Sequence, residues 1–103
     1  MYDALKNIRG IFLNIPTITG IENALKVFYE NAEIGNNEIR VLFGNRSSAT
    51  VSRLKKMVKS EMTKMDMLSY SAHKVNTAIA FVVWGIDVAD LESRRNKIKE
   101  LSL

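Results

Sequence analysis

Apolar residues recur at three- and four-residue intervals along most of this chain, the spacing that gathers one face of an α-helix. From residue 47 to 65, Val51, Leu54, Val58, Met62 and Met65 form such a stripe, while Thr50, Ser52, Arg53, Lys55, Lys56 and Lys59 fall on the other face. Just before it, Ile39, Leu42 and Phe43 give a shorter helix that ends at Gly44, a residue free to take the left-handed conformation of a helix terminus. Ser47 or Ser48 then caps the longer helix by accepting a free backbone N–H. Ile21, Ala24, Leu25, Val27 and Phe28 mark an earlier helix, with Thr19 as N-cap and Glu22 in the capping-box position. Between these two helices the run Glu33 to Asn37 reads as a turn, with Gly35 as breaker and Asn36 or Asn37 as the next cap. At the start of the chain, Leu5, Ile8 and Phe12 share a face over residues 2–14, and Asp3, Lys6 and Arg9 point away from it. Ile15-Pro16 stops that element, because the residue before proline avoids the helical region.

The pattern is ambiguous over residues 68–84. As a helix, Val75, Ala78, Ile79, Val82, Val83 and Ile86 make a broad apolar face that Asn76 or Thr77 caps. As strands, Leu68–Ala72 and Thr77–Trp84 pair into a β-hairpin. The second strand would be apolar on both faces, and no glycine stands between Gly44 and Gly85 to form the turn, so helix is the favoured reading. Asp87 caps a last helix in which Val88, Leu91, Ile98 and Leu101 form a narrow seam. Acids at its start and Arg94, Arg95, Lys97 and Lys99 toward its end complement the helix dipole. Trp84 stands before it as an anchor. The elements add up to an all-α fold in a single domain over residues 1–103, the size of one hydrophobic core.

Composition narrows the function. The chain is 47% hydrophobic and 25% charged with a net charge of +4, and it contains no cysteine, which removes disulfides, thiolate metal sites and thiol catalysis together. The charge matters because it is clustered. Six cations, Arg46, Arg53, Lys55, Lys56, Lys59 and Lys64, face one acid, Glu61, between residues 46 and 64, an excess larger than that of the whole chain.

The run SSATVSRLKK, following a glycine corner, resembles the recognition helices of bacterial and phage helix-turn-helix regulators. Arg40 stands where that pattern carries a small residue, and the turn is one residue longer, as in winged-helix relatives. The resemblance implies that residues 19–60 form a three-helix DNA-binding unit with helix 47–65 in the major groove. In that picture Arg46, Lys55, Lys56 and Lys59 hold phosphates. Ser47 and Ser48 stand at the helix start, and Ser48, Thr50, Ser52 and Arg53 reach base edges or nearby phosphates. Residues 74–103 form a C-terminal helical pair suited to a symmetric dimer. The hairpin reading of 68–84 supplies the wing of a winged helix instead. Size and resemblance together suggest a small transcriptional regulator or accessory factor of a phage or mobile element.

Other classes fit less well. One histidine, His73, and no phosphate loop, zinc motif or serine elbow give no catalytic, metal or cofactor site. No signal-like or membrane-spanning run is evident, so a cytoplasmic protein without membrane attachment is expected. RNA binding wants exposed aromatics, and Tyr2, Phe28, Tyr29 and Phe43 are expected inside. The main rival is a protein-interaction adaptor or anti-repressor-like module that uses Met57, Met62, Met65 and the Trp84 region to hold a partner. An exposed patch built from those four residues would favour it.

Overall fold

A computed structural model describes residues 15–101. The helix expected over residues 2–14 lies outside the described residues. Within them the order is α1 (Ile21–Glu30), β1 (Glu33–Ile34), α2 (Asn36–Phe43), α3 (Ser48–Lys64), β2 (Val75–Asn76), α4 (Thr77–Val83) and α5 (Val88–Leu101). The fold is mostly helical, as the pattern predicts, with one small addition. The expected turn at Glu33–Asn37 begins as a strand, and β1 pairs antiparallel with β2, Glu33 opposite Asn76 and Ile34 opposite Val75. Ile34 and Val75 are fully buried, which sets the register by putting both side chains into the core.

The hairpin reading of 68–84 is overturned. Val75–Asn76 pairs with β1 and not with residues 68–72, and Thr77–Val83 is helical. Asn76 caps that helix, its Oδ1 accepting the Ile79 N–H at 3.0 Å, so a polar side chain satisfies a free donor just where the strand ends. The helix is shorter than its apolar run: it stops at Trp84, and Val82 is 64% exposed, since seven residues bury one stripe and leave the opposite face to solvent.

Two further caps differ from the expectation. Gly20, not Thr19, occupies the N-cap position of α1. Thr19 reaches across instead: its N–H donates to the Leu42 carbonyl and its hydroxyl to the Val41 carbonyl, both at 2.7 Å. It thereby satisfies carbonyls at the end of α2 that have no partner within their own helix. For α2 the cap position is Gly35, and the Glu38 carboxylate folds back to accept its N–H at 2.7 Å, so neither Asn36 nor Asn37 caps. Asp87 does cap α5, accepting from the Asp90 N–H at 3.1 Å.

The core draws on every element. α3 supplies Val51, Leu54, Val58 and Met62 and packs chiefly on α4, while α1 packs on α2 and α5. At its centre Trp84 lies edge-on to Phe43, ring centroids 5.3 Å apart, and donates its indole N–H to the Leu54 carbonyl at 3.2 Å. Burying a side chain such as Leu54 or Phe81 contributes about 1.5–3 kcal/mol, so these contacts fix α3 against α4. The seam of α5 is buried only at Leu91; Ile98 and Leu101 are exposed. Tyr29, expected inside, is exposed and hydrogen-bonds Glu92 through its hydroxyl.

Candidate nucleic-acid interface

The turn between α2 and α3 is built from backbone-directed contacts. Gly44 adopts φ 87°, a conformation that disfavours side chains, and its N–H returns to the Arg40 carbonyl at 2.8 Å. Arg46 closes the corner with its N–H on the Gly44 carbonyl and its Nε on the Phe43 carbonyl at 2.9 Å. Ser47 is the cap: its Oγ accepts the Thr50 N–H at 3.2 Å and donates to Thr50 Oγ1 at 3.1 Å. Arg46, Ser47 and Thr50 are therefore engaged in shaping the turn, and the Arg46 guanidinium still stands at the exposed surface.

Helical geometry sorts the rest of α3. At 100° per residue, Val51, Leu54, Val58 and Met62 share one side and are buried. Opposite them lie Ala49, Ser52, Arg53, Lys56, Ser60 and Thr63, all exposed. Ser48 is exposed at the helix start. No carboxylate occupies the first turn, and Glu61, the acid of this helix, sits to one side in an ion pair with Lys64 at 3.1 Å. Arg53 lies along the surface with Nη1 4.0 Å from Met57 Sδ.

Lys55 and Lys59 are placed differently from the other cations. They lie at the border of the buried side, where the irregular segment 67–74 crosses the helix. The Lys55 ammonium donates to Asn36 Oδ1 at 2.9 Å and to the His73 carbonyl at 3.0 Å, and Lys59 donates to the Ala72 carbonyl at 3.0 Å. Burial, and then the neighbouring Lys59 charge, hold the Lys55 pKa below its ordinary value. Of the four cations expected to hold phosphates, two thus stitch the fold together, while Lys56 and Arg46 remain at the surface. The signal was present in the spacing: Lys55 stands four residues after Val51 and three before Val58, on the edge of the apolar stripe. Ala49, Ser60 and Thr63 are additional members of the exposed face that the charge pattern did not single out.

α3 ends at Met65, and Asp66 takes φ 54° to turn the chain back. Met65 is 58% exposed and does not continue the buried stripe as expected. Met62 and Trp84 are buried and Met57 is partly buried, so these residues form no continuous exposed patch. Among the described residues no three acidic or histidine side chains converge as metal ligands, and no helix is long and apolar enough to cross a membrane.

Compared with known proteins, the chain matches no family model, no curated protein and no solved structure.

Proposed function

We propose that this protein binds double-stranded DNA, laying the exposed face of α3 in the major groove and acting as a small transcriptional regulator or accessory factor. One observation carries the reading: the face of α3 turned away from the core presents Ser52, Arg53 and Lys56 together, with no carboxylate in the first turn. Arg53 is the candidate for a guanine edge, where a bidentate contact contributes about 1–3 kcal/mol of discrimination. Lys56 and Arg46 suit phosphates, and Ser48 and Ser52 suit phosphates or base edges near the helix start. Pairing of two copies through the exposed Ile98 and Leu101 end of α5 would let a symmetric dimer meet two half-sites.

The test is fluorescence anisotropy of the full chain on a labelled random-sequence duplex across a salt series. Binding whose affinity falls steeply with salt supports the reading. No binding at low salt overturns it and gives the lead to a protein-interaction role. That second reading has its own observation, at a place other than the methionine row and Trp84. Leu68 is 90% and Tyr70 99% exposed, beside Met65 in the turn after α3, and such side chains stabilise little within the chain itself.

A further inference from the structure

A protruding apolar tip and an apolar hollow stand on different parts of the described surface. The tip belongs to the irregular segment 66–74, between α3 and β2, where Leu68 is 90% and Tyr70 99% exposed. The backbone around them is nevertheless pinned. The Tyr70 N–H donates to Glu33 Oε2 at 2.9 Å, Ser69 Oγ donates to the Lys74 carbonyl at 2.8 Å, and the Lys55 and Lys59 ammonium groups hold the His73 and Ala72 carbonyls. The hollow is an open cleft of about 520 Å³ formed by α1, α4 and the start of α5, with Phe28, Phe81, Val82, Ile86 and Val88 in its walls. Val82 is 64% exposed there, and no residue of segment 66–74 lines the cleft.

We propose that the cleft receives the Leu68–Tyr70 tip of a second copy of this chain. Charge is complementary across such a contact. Asp87 is the charged residue lining the cleft, whereas residues 64–74 carry Lys64 and Lys74 against Asp66, and Lys74 is exposed. Size and chemistry agree as well, because apolar clefts of several hundred Å³ bury ligands larger than a single side chain, and Leu68 and Tyr70 enter as a pair. The tethers to Glu33 and α3 keep the tip at the surface of its own molecule. They also present it in a fixed arrangement, so little ordering entropy is lost on docking. Tip and cleft are different surfaces, so the contact is heterologous, and each added copy offers a free tip and a free cleft until a ring closes. The inference names a partner for the Leu68–Tyr70 surface and is independent of the DNA-binding reading.

Two variants of the full chain separate the halves of the contact. Leu68→Ser with Tyr70→Ser removes the tip and keeps the cleft, and Val82→Lys keeps the tip and sets a cation in the cleft wall. All three side chains are at least 64% exposed, and the amide dispersion of each variant reports that it is folded. The isotope-labelled tip variant is titrated with the unlabelled Val82→Lys chain, which offers an intact tip. The amide signals of Ala78, Ile86 and Val88 shift progressively and saturate. Titration with the unlabelled tip variant instead leaves them in place, and any pairing through α5 is common to both titrations and cancels. With the labels exchanged, the signals of Leu68 and Tyr70 in the Val82→Lys chain move on adding the tip variant. Cleft signals that do not move in the first titration would overturn the proposal. So would equal shifts in the first two titrations, since the contact would then not use the tip.

Discussion

Lys55 and His73, eighteen residues apart, are joined by a hydrogen bond of 3.0 Å from the lysine ammonium to the histidine backbone carbonyl. The same ammonium holds Asn36 Oδ1, so one side chain ties the start of α2, the middle of α3 and the segment before β2. Lys59 repeats the contact one turn later on the Ala72 carbonyl. A cation in this role supports the fold first and adds to the surface charge second.

Lys55→Ala therefore lowers stability by about 1 kcal/mol, through the loss of two hydrogen bonds that join separate segments. Lys56→Ala, on the open face, changes stability by about 0.5 kcal/mol or less. Urea denaturation of the two variants beside the parent checks the difference. Equal effects would contradict the assignment.

The lowered pKa of Lys55 has a sign that can be followed with pH. Burial and then the Lys59 charge make the folded chain release the Lys55 proton earlier than the unfolded chain does. In the alkaline window just below the ordinary lysine value the unfolded state binds more protons, so stability from this group is gained as pH rises and lost as it falls through the folded pKa. The parent gains on a Lys55→Met variant as pH climbs through that window from neutrality, read as paired urea midpoints. A difference independent of pH would count against it.

Thr77 opens α4 and is 2% exposed, and its hydroxyl has no hydrogen-bond partner. Its backbone is satisfied, the N–H donating to the Ala32 carbonyl at 3.1 Å, so the hydroxyl alone carries an uncompensated desolvation cost. Thr77→Val keeps the shape and removes that group. It raises stability by about 1 kcal/mol, measured as a higher thermal midpoint.

Gly44 tests the turn. A Cβ there would meet Thr19 Cγ2 at 3.6 Å, an ordinary contact, so space is not what demands glycine. The φ of 87° does, and Gly44→Ala costs about 1–3 kcal/mol of stability by urea titration.

Helices α1, α2 and α3 were legible because each buries a stripe with its own period, whereas α5 was marked by its Asp87 cap, Leu91 being the buried residue of its seam. Val51, Leu54, Val58 and Met62 announce α3, and the serine before it announces the cap. The β1–β2 pair was not, since two-residue strands are too short to show an alternation and their partners lie far apart in the sequence. Thr19 looked like a cap because a threonine three residues before a glutamate is the usual signature. Its hydroxyl went instead to the Val41 carbonyl of α2, a tertiary contact that local spacing does not encode. The same holds at the candidate interface. A run of lysines reads as one charged face, and backbone carbonyl partners such as those of Ala72 and His73 leave no residue-type signal. Arg53 and Lys56 kept their expected exposure.

The central claim is that the open face of α3, and not the whole basic run, meets DNA. It is tested most directly by salt-series anisotropy of two double variants, Arg53→Ala with Lys56→Ala and Lys55→Ala with Lys59→Ala, beside the parent on one labelled duplex. A cation on a phosphate contributes about one to the slope of log affinity against log salt. The first pair should flatten the slope by about two, or by about one with a further loss of base discrimination if Arg53 contacts a base. The second pair should leave the slope of the folded protein close to the parent value. Equal flattening by both pairs, or a parent slope near zero, would contradict the account.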